Sequence, residues 1–176
     1  MWRLEPTLAT IQRWDERVCV RANRALRYAT VLPLFRAVSW LGNGIFWYSL
    51  MLALLLHFGG EAAQAVLHMG IVGAVCTLVY KLLKRGTLRP RPYQALQVVS
   101  AGTGVLDSFS FPSGHTLHAV AFTLVACAYY PMLAAPLAGF TVLTAASRVV
   151  LGLHYPSDVL AGAAVGAAIA GLSLGL

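Results

Sequence analysis

The sequence predicts an all-α fold: a polytopic membrane helix bundle of about five transmembrane helices, preceded by an amphipathic segment at the membrane interface. Of the 176 residues, 59% are hydrophobic and only 11% are charged, and the mean hydropathy is +0.71. A soluble domain carries about 25% charged residues. Five apolar stretches approach the roughly 20 residues that a helix needs to cross a bilayer. The length suggests one domain, residues 1–176.

Residues 1–40 form the amphipathic segment. Apolar residues recur there at helical spacing, and arginines lie on roughly the opposite face, as in helices that lie in the membrane interface. The apolar positions are Leu4, Leu8, Ile11, Val18, Ala22 and Leu26, and the basic positions are Arg13, Arg17, Arg21, Arg24 and Arg27. Asp15 interrupts the apolar face. The alternative is an ordinary amphipathic helix that packs on the bundle. Residues 30–40 are expected to form a second short interfacial piece.

The transmembrane core is expected over residues 41–176. Its apolar stretches are residues 41–58, 62–83, 113–130, 132–150 and 156–176. Because consecutive spans cross in opposite directions, the N-terminal segment and residues 84–112 and 151–155 come to one side. All 13 lysines and arginines lie on that side or at its edge. By the positive-inside rule this side faces the cytoplasm, and we expect an integral protein of a bacterial inner (plasma) membrane.

The net charge of +7 could indicate nucleic acid as a partner. The basic residues are few, however, and flank apolar spans, so we expect a phosphorylated lipid and the anionic surface of the bilayer, and no nucleic acid. Cys19, Cys76 and Cys127 lack the spacing of a zinc site or a disulfide framework and are expected to be small buried hydrophobes.

Polar clusters at residues 84–115 and 147–158 predict a phosphate site. Lys84, Arg91 and Arg148 are cations on the same side of the membrane, and arginine matches the oxygens of phosphate well. Ser113 is a candidate N-cap for the third span. Gly114 follows it, so that the N–H groups of the helix start can approach an anion closely.

Two histidines and a carboxylate predict phosphoryl-transfer chemistry at that site. Asp158 follows His154 by four residues, at the start of a helix, where it can orient the imidazole as a nucleophile. His115 can protonate the leaving group. Among the remaining polar residues, His118 is expected to be a buried packing residue, with support of the site as the alternative. His57 and His68 lack polar neighbours in the sequence and are expected to be structural. Tyr93 and Asp107 lie in the long loop and could shape substrate access.

The polar clusters resemble the motifs of the type 2 phosphatidic acid phosphatase family, membrane lipid phosphatases related to vanadium haloperoxidases. The first motif is Lys84, six residues, then Arg91-Pro92; the second is Pro112-Ser113-Gly114-His115; the third is Ser147-Arg148, five residues, His154, three residues, Asp158. The resemblance covers residues 84–158. Two departures are visible: bacterial members often have six spans, and Arg89-Pro90 duplicates Arg91-Pro92, with the spacing from Lys84 favouring Arg91.

The resemblance implies catalysis without a metal or another cofactor. His154 forms a phosphohistidine, Asp158 orients it, and His115 acts as an acid and then activates water. The phosphoryl oxygens are held by Lys84, Arg91, Ser113, Gly114 and Arg148. The expected activity is removal of the terminal phosphate from a polyprenyl phosphate or diphosphate, or from a phosphatidyl-type lipid.

Alternatives from the sequence are a lipid phosphotransferase that uses the same site and a non-catalytic membrane protein that binds or transports lipid. A vanadium-dependent peroxidase fits the small membrane-embedded form less well. Gly162, Gly166 and Ala170 form a row of small residues suited to close helix contact. We expect this row to pack within the bundle, with a homo-oligomer as the other reading.

Overall fold

The computed structural model describes residues 4–104 and 108–175, and over these ranges it contains helices and connecting segments but no strand. The α-helices are α1 (Leu4–Asn23), α2 (Val31–Trp40), α3 (Phe46–Phe58), α4 (Ala63–Thr87), α5 (Pro92–Ala95), α6 (Gly114–Tyr129), α7 (Ala134–Val150) and α8 (Pro156–Leu174). The predicted all-helical architecture is confirmed. Asp107, a candidate for shaping substrate access, lies outside the described residues.

Among the described residues, three stretches are long and apolar enough to cross a membrane: Val31–Ala95, Pro131–Val150 and Pro156–Leu174. The first is 65 residues long and contains both α3 and α4. Gly59 ends α3 with a φ of +57°, a backbone conformation that glycine adopts without steric cost. The third predicted span corresponds to α6, which has only 16 residues.

Helix α6 is the centre of the bundle and packs against α4, α7 and α8. The row of small residues on α8 faces it. A Cβ atom on Gly162 would come within 2.5 Å of the Ser113 carbonyl oxygen, and one on Gly166 within 2.3 Å of the Leu117 carbonyl oxygen. The backbones of α6 and α8 therefore approach more closely than side chains would allow. The row packs within the bundle, as expected.

The second half of α1 docks on the bundle through a face that is mostly polar. Asp15, Cys19 and Asn23, spaced four residues apart, are all buried. Leu8 and Ile11, on the predicted apolar face, are exposed instead. The expected pattern was therefore wrong at Asp15, which does not interrupt the buried face but belongs to it. The interfacial position of the first half of α1 stays a prediction.

Asn23 joins α1 to the long loop and to α7. Its Nδ2 donates hydrogen bonds to the carbonyl oxygens of Ser100 (2.9 Å) and Val150 (3.0 Å), and its Oδ1 accepts one from the Ser100 amide (2.9 Å). One buried side chain thus links three segments at the same end of the bundle. Cys19 is buried beside it, and burial raises the pKa of its thiol to about 12, so it is an inert packing residue.

The junction between α2 and α3 differs from the expected start of a span at residue 41. Residues Leu41–Ile45 form a π-helical turn in which Gly44 has a φ of 115°. Wide turns of this kind are frequent at functional sites. The regular part of the span therefore begins at Phe46, because the turn moves the backbone of residues 41–45 out of α-helical register. Residues 30–40, expected to form an interfacial piece, form α2, which packs against α7.

Candidate active site

A cavity of about 570 Å³ opens at the end of the bundle where residues 39–44, α4, α6 and the loop 151–155 meet. Six of the predicted site residues line it: Lys84, Arg91, Gly114, His115, Arg148 and His154. The other two, Ser113 and Asp158, are buried behind its wall. The three sequence motifs, separated by as many as 74 positions from Lys84 to Asp158, therefore converge at one place.

The cavity is strongly basic. Its described lining contains five cations and no aspartate or glutamate; the cations are Arg36, Lys81, Lys84, Arg91 and Arg148. Three of them are buried, with exposed fractions of 8% for Lys84, 2% for Arg91 and 4% for Arg148. Buried cations concentrated in one cavity favour an anion with several oxygens, such as a phosphoryl group.

Neutral oxygens orient the three buried cations. Lys84 Nζ donates to the Phe109 carbonyl oxygen (3.2 Å), Arg91 Nη1 to the Leu153 carbonyl oxygen (2.7 Å), and Arg148 Nη1 to Ser39 Oγ (2.6 Å). Such contacts fix the side chains without cancelling their charge.

His154 presents a nitrogen lone pair to these cations. Its Nδ1 lies 2.5 Å from the Ser110 carbonyl oxygen, which can only accept, so Nδ1 carries the proton. Its Nε2 lies 3.2 Å from Arg91 Nη1, which can only donate. Burial, together with the positive charges of Arg148 and Arg91, holds the pKa of His154 well below its usual value. The imidazole is therefore neutral at pH 7, with its lone pair on Nε2.

Asp158 does not make the direct hydrogen bond to His154 that the sequence suggested. Its Oδ2 lies 3.8 Å from His154 Nδ1 and accepts instead from the Tyr155 amide at 2.8 Å. The Ser110 carbonyl oxygen accepts the hydrogen bond from Nδ1 instead, because the loop before α6 folds over the imidazole. The carboxylate is fully buried next to the ring, and its role in orienting His154 stays a prediction.

His115 lies in the first turn of α6 and is held by Asn43. Its Nε2 is 2.6 Å from Asn43 Oδ1, and an amide oxygen can only accept, so this nitrogen carries a proton. Asn43 belongs to the wide turn between α2 and α3. Gly42 lies beside the ring, because a Cβ at that position would be 3.5 Å from His115 Cδ2, an ordinary van der Waals contact.

Ser113 occupies the N-cap position of α6 but does not cap it with its side chain. Its Oγ instead pairs with Thr116 Oγ1 at 3.0 Å, so the capping bond expected from the sequence is absent at this residue. The Ser113 amide donates to the Asp158 carbonyl oxygen at 3.0 Å. This bond joins the start of α6 to the start of α8, and Gly114 then lines the cavity.

His118, expected to be a buried packing residue, is half-buried and lies at the cavity; its support of the site stays a prediction. It lines the cavity with its Nδ1 at 2.8 Å from the Gly114 carbonyl oxygen and its Nε2 at 3.0 Å from Thr77 Oγ1. His68 lacks polar neighbours in the sequence but has two in space, on other helices. Its nitrogens lie 3.0 Å from Tyr129 Oη and 2.9 Å from Ser173 Oγ.

The remaining two candidates take no part in the lining of the cavity. His57 is exposed and contacts the ring of Phe58 edge-on. Tyr93 is half-buried, and its amide donates to the Gly152 carbonyl oxygen at 3.2 Å.

Several residues at the site were not identified from the sequence: Asp15, Ser39, Asn43, Arg89 and Ser110. Two of them carried a visible signal. Asn43 is a polar residue between two glycines at the start of an apolar span, and Asp15 is a charge on an apolar helix face. Within the described part of the chain, no group of three His, Cys, Asp or Glu side chains is placed to hold a metal ion.

The fold and the cavity together define an integral membrane protein with a basic cavity that contains buried cations and histidines. Residues 62–175, more than half of the chain, match the PAP2 superfamily. The chain belongs to this superfamily, and the resemblance drawn from the three motifs is confirmed.

Named phosphatases are among the relatives of the chain. The chain is 35% identical over 114 residues to undecaprenyl-diphosphatase BcrC of Bacillus subtilis, covering 64% of this chain and 58% of that protein. It is 31% identical over 162 residues to the lipid A 1-phosphatase of Rhizobium etli, covering 80% of this chain and 68% of the relative. The chain thus spans between about half and two thirds of the length of these relatives.

Two solved structures share the fold. A PAP2-type phosphatidylglycerolphosphate phosphatase from Bacillus subtilis superposes with a TM-score of 0.79 at 26% identity, covering 94% of this chain and 85% of that one. Aquifex aeolicus LpxE superposes with a TM-score of 0.80 at 26% identity, covering 93% and 96% of the two chains.

Proposed function

We propose that this protein is a membrane lipid phosphatase that removes the terminal phosphate of a polyprenyl phosphate or diphosphate, or of a phosphatidyl-type lipid. One observation carries the proposal: a neutral His154 whose Nε2 lone pair adjoins the buried cations of a basic cavity. A lone pair beside arginines that can hold phosphoryl oxygens is the arrangement that nucleophilic attack on phosphorus needs.

The proposed reaction has two steps. In the first, Nε2 of His154 attacks phosphorus, the bond from phosphorus to the leaving oxygen breaks, and His115 gives its proton to that oxygen. In the second, His115 accepts a proton from water as the water oxygen attacks the phosphohistidine, which releases phosphate and restores His154. Lys84, Arg91, Arg148 and the start of α6 at Gly114 hold the oxygens of the phosphoryl group in both steps. Ser113, which the sequence also suggested as a phosphate ligand, instead joins the start of α6 to the start of α8 behind the cavity wall.

An apolar groove next to the cations supports a lipid substrate. The cavity extends from Lys84 between α3 and α4, along Trp47, Met51 and Gly73. Gly73 lets the Phe122 ring pack directly against the backbone of α4, because a Cβ at this position would come within 2.8 Å of the ring. A headgroup in the basic part of the cavity therefore leaves the acyl or prenyl tail between helices, where it stays in apolar surroundings.

The direct test is release of inorganic phosphate by the purified protein in detergent, with no added acceptor. A panel of prenyl, phosphatidyl and lipid A-type phosphates identifies the preferred tail, and a chelator in parallel reactions tests independence from metal. We expect phosphate release and a labelled protein intermediate that is stable to alkali and labile to acid. Transfer to a second lipid without release of phosphate would instead identify a phosphotransferase, and absence of turnover on every member of the panel would contradict the proposal.

We also propose that the site faces the cytoplasm of a bacterial cell from the inner membrane. The basic residues that take no part in the cavity support this orientation, above all those of α1. A cysteine placed at exposed Ala101 in the long loop should react with a membrane-impermeant thiol reagent only after the cells are opened. Labelling in intact cells would place the site on the outer side.

A further inference from the structure

The side chain of Arg89 lies between two buried carboxylates. Its Nη1 donates to Asp158 Oδ1 at 2.5 Å and its Nη2 to Asp15 Oδ2 at 2.8 Å. Both aspartates have no exposed side-chain surface, and Arg89 is 26% exposed. Its guanidinium also lies over the Tyr155 ring, 4.1 Å from the centroid. The first of the two Arg-Pro pairs thus points away from the cavity, whereas Arg91 points to His154.

Asp15 binds the start of α8 in addition to Arg89. Its Oδ1 accepts from the Ser157 amide at 2.9 Å, and its Oδ2 accepts from Ser157 Oγ at 2.5 Å. Ser157 is the second residue of α8, so Asp15 satisfies an amide at the positive end of that helix. Asp158 is the next residue. The position of the carboxylate next to His154 therefore depends on a residue of α1, 143 positions earlier in the chain.

The charges of these three side chains do not cancel. One guanidinium faces two carboxylates, which leaves a formal charge of about −1 next to the imidazole of His154. If Asp15 were absent, Arg89 and Asp158 would form a neutral pair. Because attack by Nε2 on phosphorus places positive charge on the ring, and Asp158 Oδ2 lies 3.8 Å from Nδ1, a net negative charge here stabilises the transition state more than the ground state.

We propose that Arg89 and Asp15 are positioning residues of the active site: they hold Asp158 next to His154 and maintain the negative charge behind the ring, so that α1 completes the catalytic centre. This inference rests on the proposed role of His154 as the nucleophile. It assigns a function to the duplicated Arg89-Pro90 pair that is different from phosphate binding.

The test compares Asp15→Asn, Arg89→Gln, the double variant and Arg89→Lys, with Arg85→Gln as the matched control. Arg85 is an exposed arginine near the end of α4. The measurements are kcat and KM for phosphate release from a short-chain phosphatidic acid in detergent, the inhibition constant of inorganic phosphate, and the midpoint of thermal unfolding.

We expect Asp15→Asn to lower kcat about tenfold, because it removes the net negative charge behind the ring. Arg89→Gln keeps negative charge there, so its expected loss, also about tenfold, comes from displacement of Asp158, which Arg89 no longer holds next to His154. KM and the inhibition constant of phosphate should change less than about threefold, because the cations that bind phosphate are untouched. The double variant should lose less than the product of the two single losses, since the residues act through one another. Arg89→Lys should recover part of the loss, and Arg85→Gln should equal the wild type.

Three outcomes separate the inference from the proposed function. Wild-type kcat in both Asp15→Asn and Arg89→Gln, in an enzyme that His154→Ala inactivates, overturns the inference and leaves the proposed function intact. Losses that follow only the fraction of unfolded protein, or that are fully multiplicative in the double variant, also overturn it. Absence of phosphate release by the wild type overturns both. If Arg89→Gln does not fold, Asp15→Asn, which keeps the shape of the side chain, decides by itself.

Discussion

The bundle holds a hydrogen-bonded histidine at each end, and the two differ in what faces their nitrogens. His68, on α4 far from the cavity, lies between two hydroxyl groups, those of Tyr129 and Ser173. His154 has a carbonyl oxygen on one nitrogen and an arginine on the other, beside a basic cavity. Hydrogen bonding is common to both histidines, although His154 is buried and His68 only half-buried. The concentration of cations around an available lone pair is what makes one of them suited to chemistry.

Replacement of the two histidines by alanine should give the largest difference. His154→Ala removes the proposed nucleophile, so kcat for phosphate release should fall by about 10³ or more. His68→Ala removes only contacts between helices, so activity per folded molecule should stay within about threefold while stability falls by about 1–2 kcal/mol. Phosphate release and thermal unfolding measured on both variants check this. Equal losses of activity in the two variants would contradict the assignment of chemistry to His154 and of a structural role to His68.

Removal of a cation should change both the rate and its dependence on pH. Arg148 lowers the pKa of His154, after the larger effect of burial, so Arg148→Gln should raise that pKa and move the acid limb of the kcat/KM profile to higher pH. The value at pH 7 should fall about 100-fold, because an arginine contact to the phosphoryl group is lost as well. Arg21→Gln, an exposed arginine on α1, is the control. An unmoved acid limb would show that His154 does not set it.

Substitutions at two glycines of α8 allow the packing near the two ends of this helix to be compared. Gly162→Ala forces a methyl group against the Ser113 carbonyl oxygen, whereas nothing lies within 4 Å of a Cβ on Gly171. We expect Gly162→Ala to cost about 1–3 kcal/mol of stability and to lower activity, because the start of α6 moves. Gly171→Ala should gain about 0.5–1 kcal/mol, since alanine is the better helix former. The measurement is the midpoint of thermal unfolding of both variants in the same detergent. An unchanged midpoint for Gly162→Ala would mean that α6 and α8 separate easily.

The smallest difference is expected for the hydrogen-bond partners of two histidines. Asn43→Ala leaves the His115 Nε2 proton without its acceptor at 2.6 Å, so kcat should fall about tenfold through poorer placement of the proposed acid. The drop should be greatest with lipids whose leaving oxygen is most basic. Ser173→Ala, which removes a partner of His68, should leave kcat unchanged. A wild-type rate for Asn43→Ala would exclude a role for this amide in positioning His115.

The motif spacing was sufficient to predict which residues line the cavity, because each motif lies at the end of a long apolar stretch and spans alternate in direction. Lys84, Arg91, His115, Arg148 and His154 all lie there. The contacts that orient them were not predictable in this way. The Ser110 carbonyl oxygen that contacts His154 belongs to an irregular loop. Every residue has a backbone carbonyl, so the sequence does not indicate which one makes such a contact. Arg89 had been set aside as a duplicate, because spacing shows which arginine matches a motif and not where the other one points.

The fold was predictable to the level of its helices, and less so at their junctions. Apolar length located the spans, but the wide turn at Leu41–Ile45 and the docking of α1 depend on tertiary contacts. Asp15 is the clearest case. Hydrophobic periodicity treats a charge on an apolar face as an exception, whereas here that charge is buried against an arginine and the end of a neighbouring helix.

The backbone contact between α6 and α8 leaves little freedom on one side of the cavity. The glycines at positions 162 and 166 allow the backbones of the two helices to pack closely over more than one turn. We therefore expect the wall formed by Gly114 and the start of α8 to be rigid. Adaptation to lipids of different thickness must then come from the opposite wall, where α3 and α4 meet through side chains such as Met51. In the proposed phosphatase, chemistry and tail selectivity are thereby separated: we expect sequence changes along α3 to alter which lipid is accepted without moving the groups proposed to act on phosphorus.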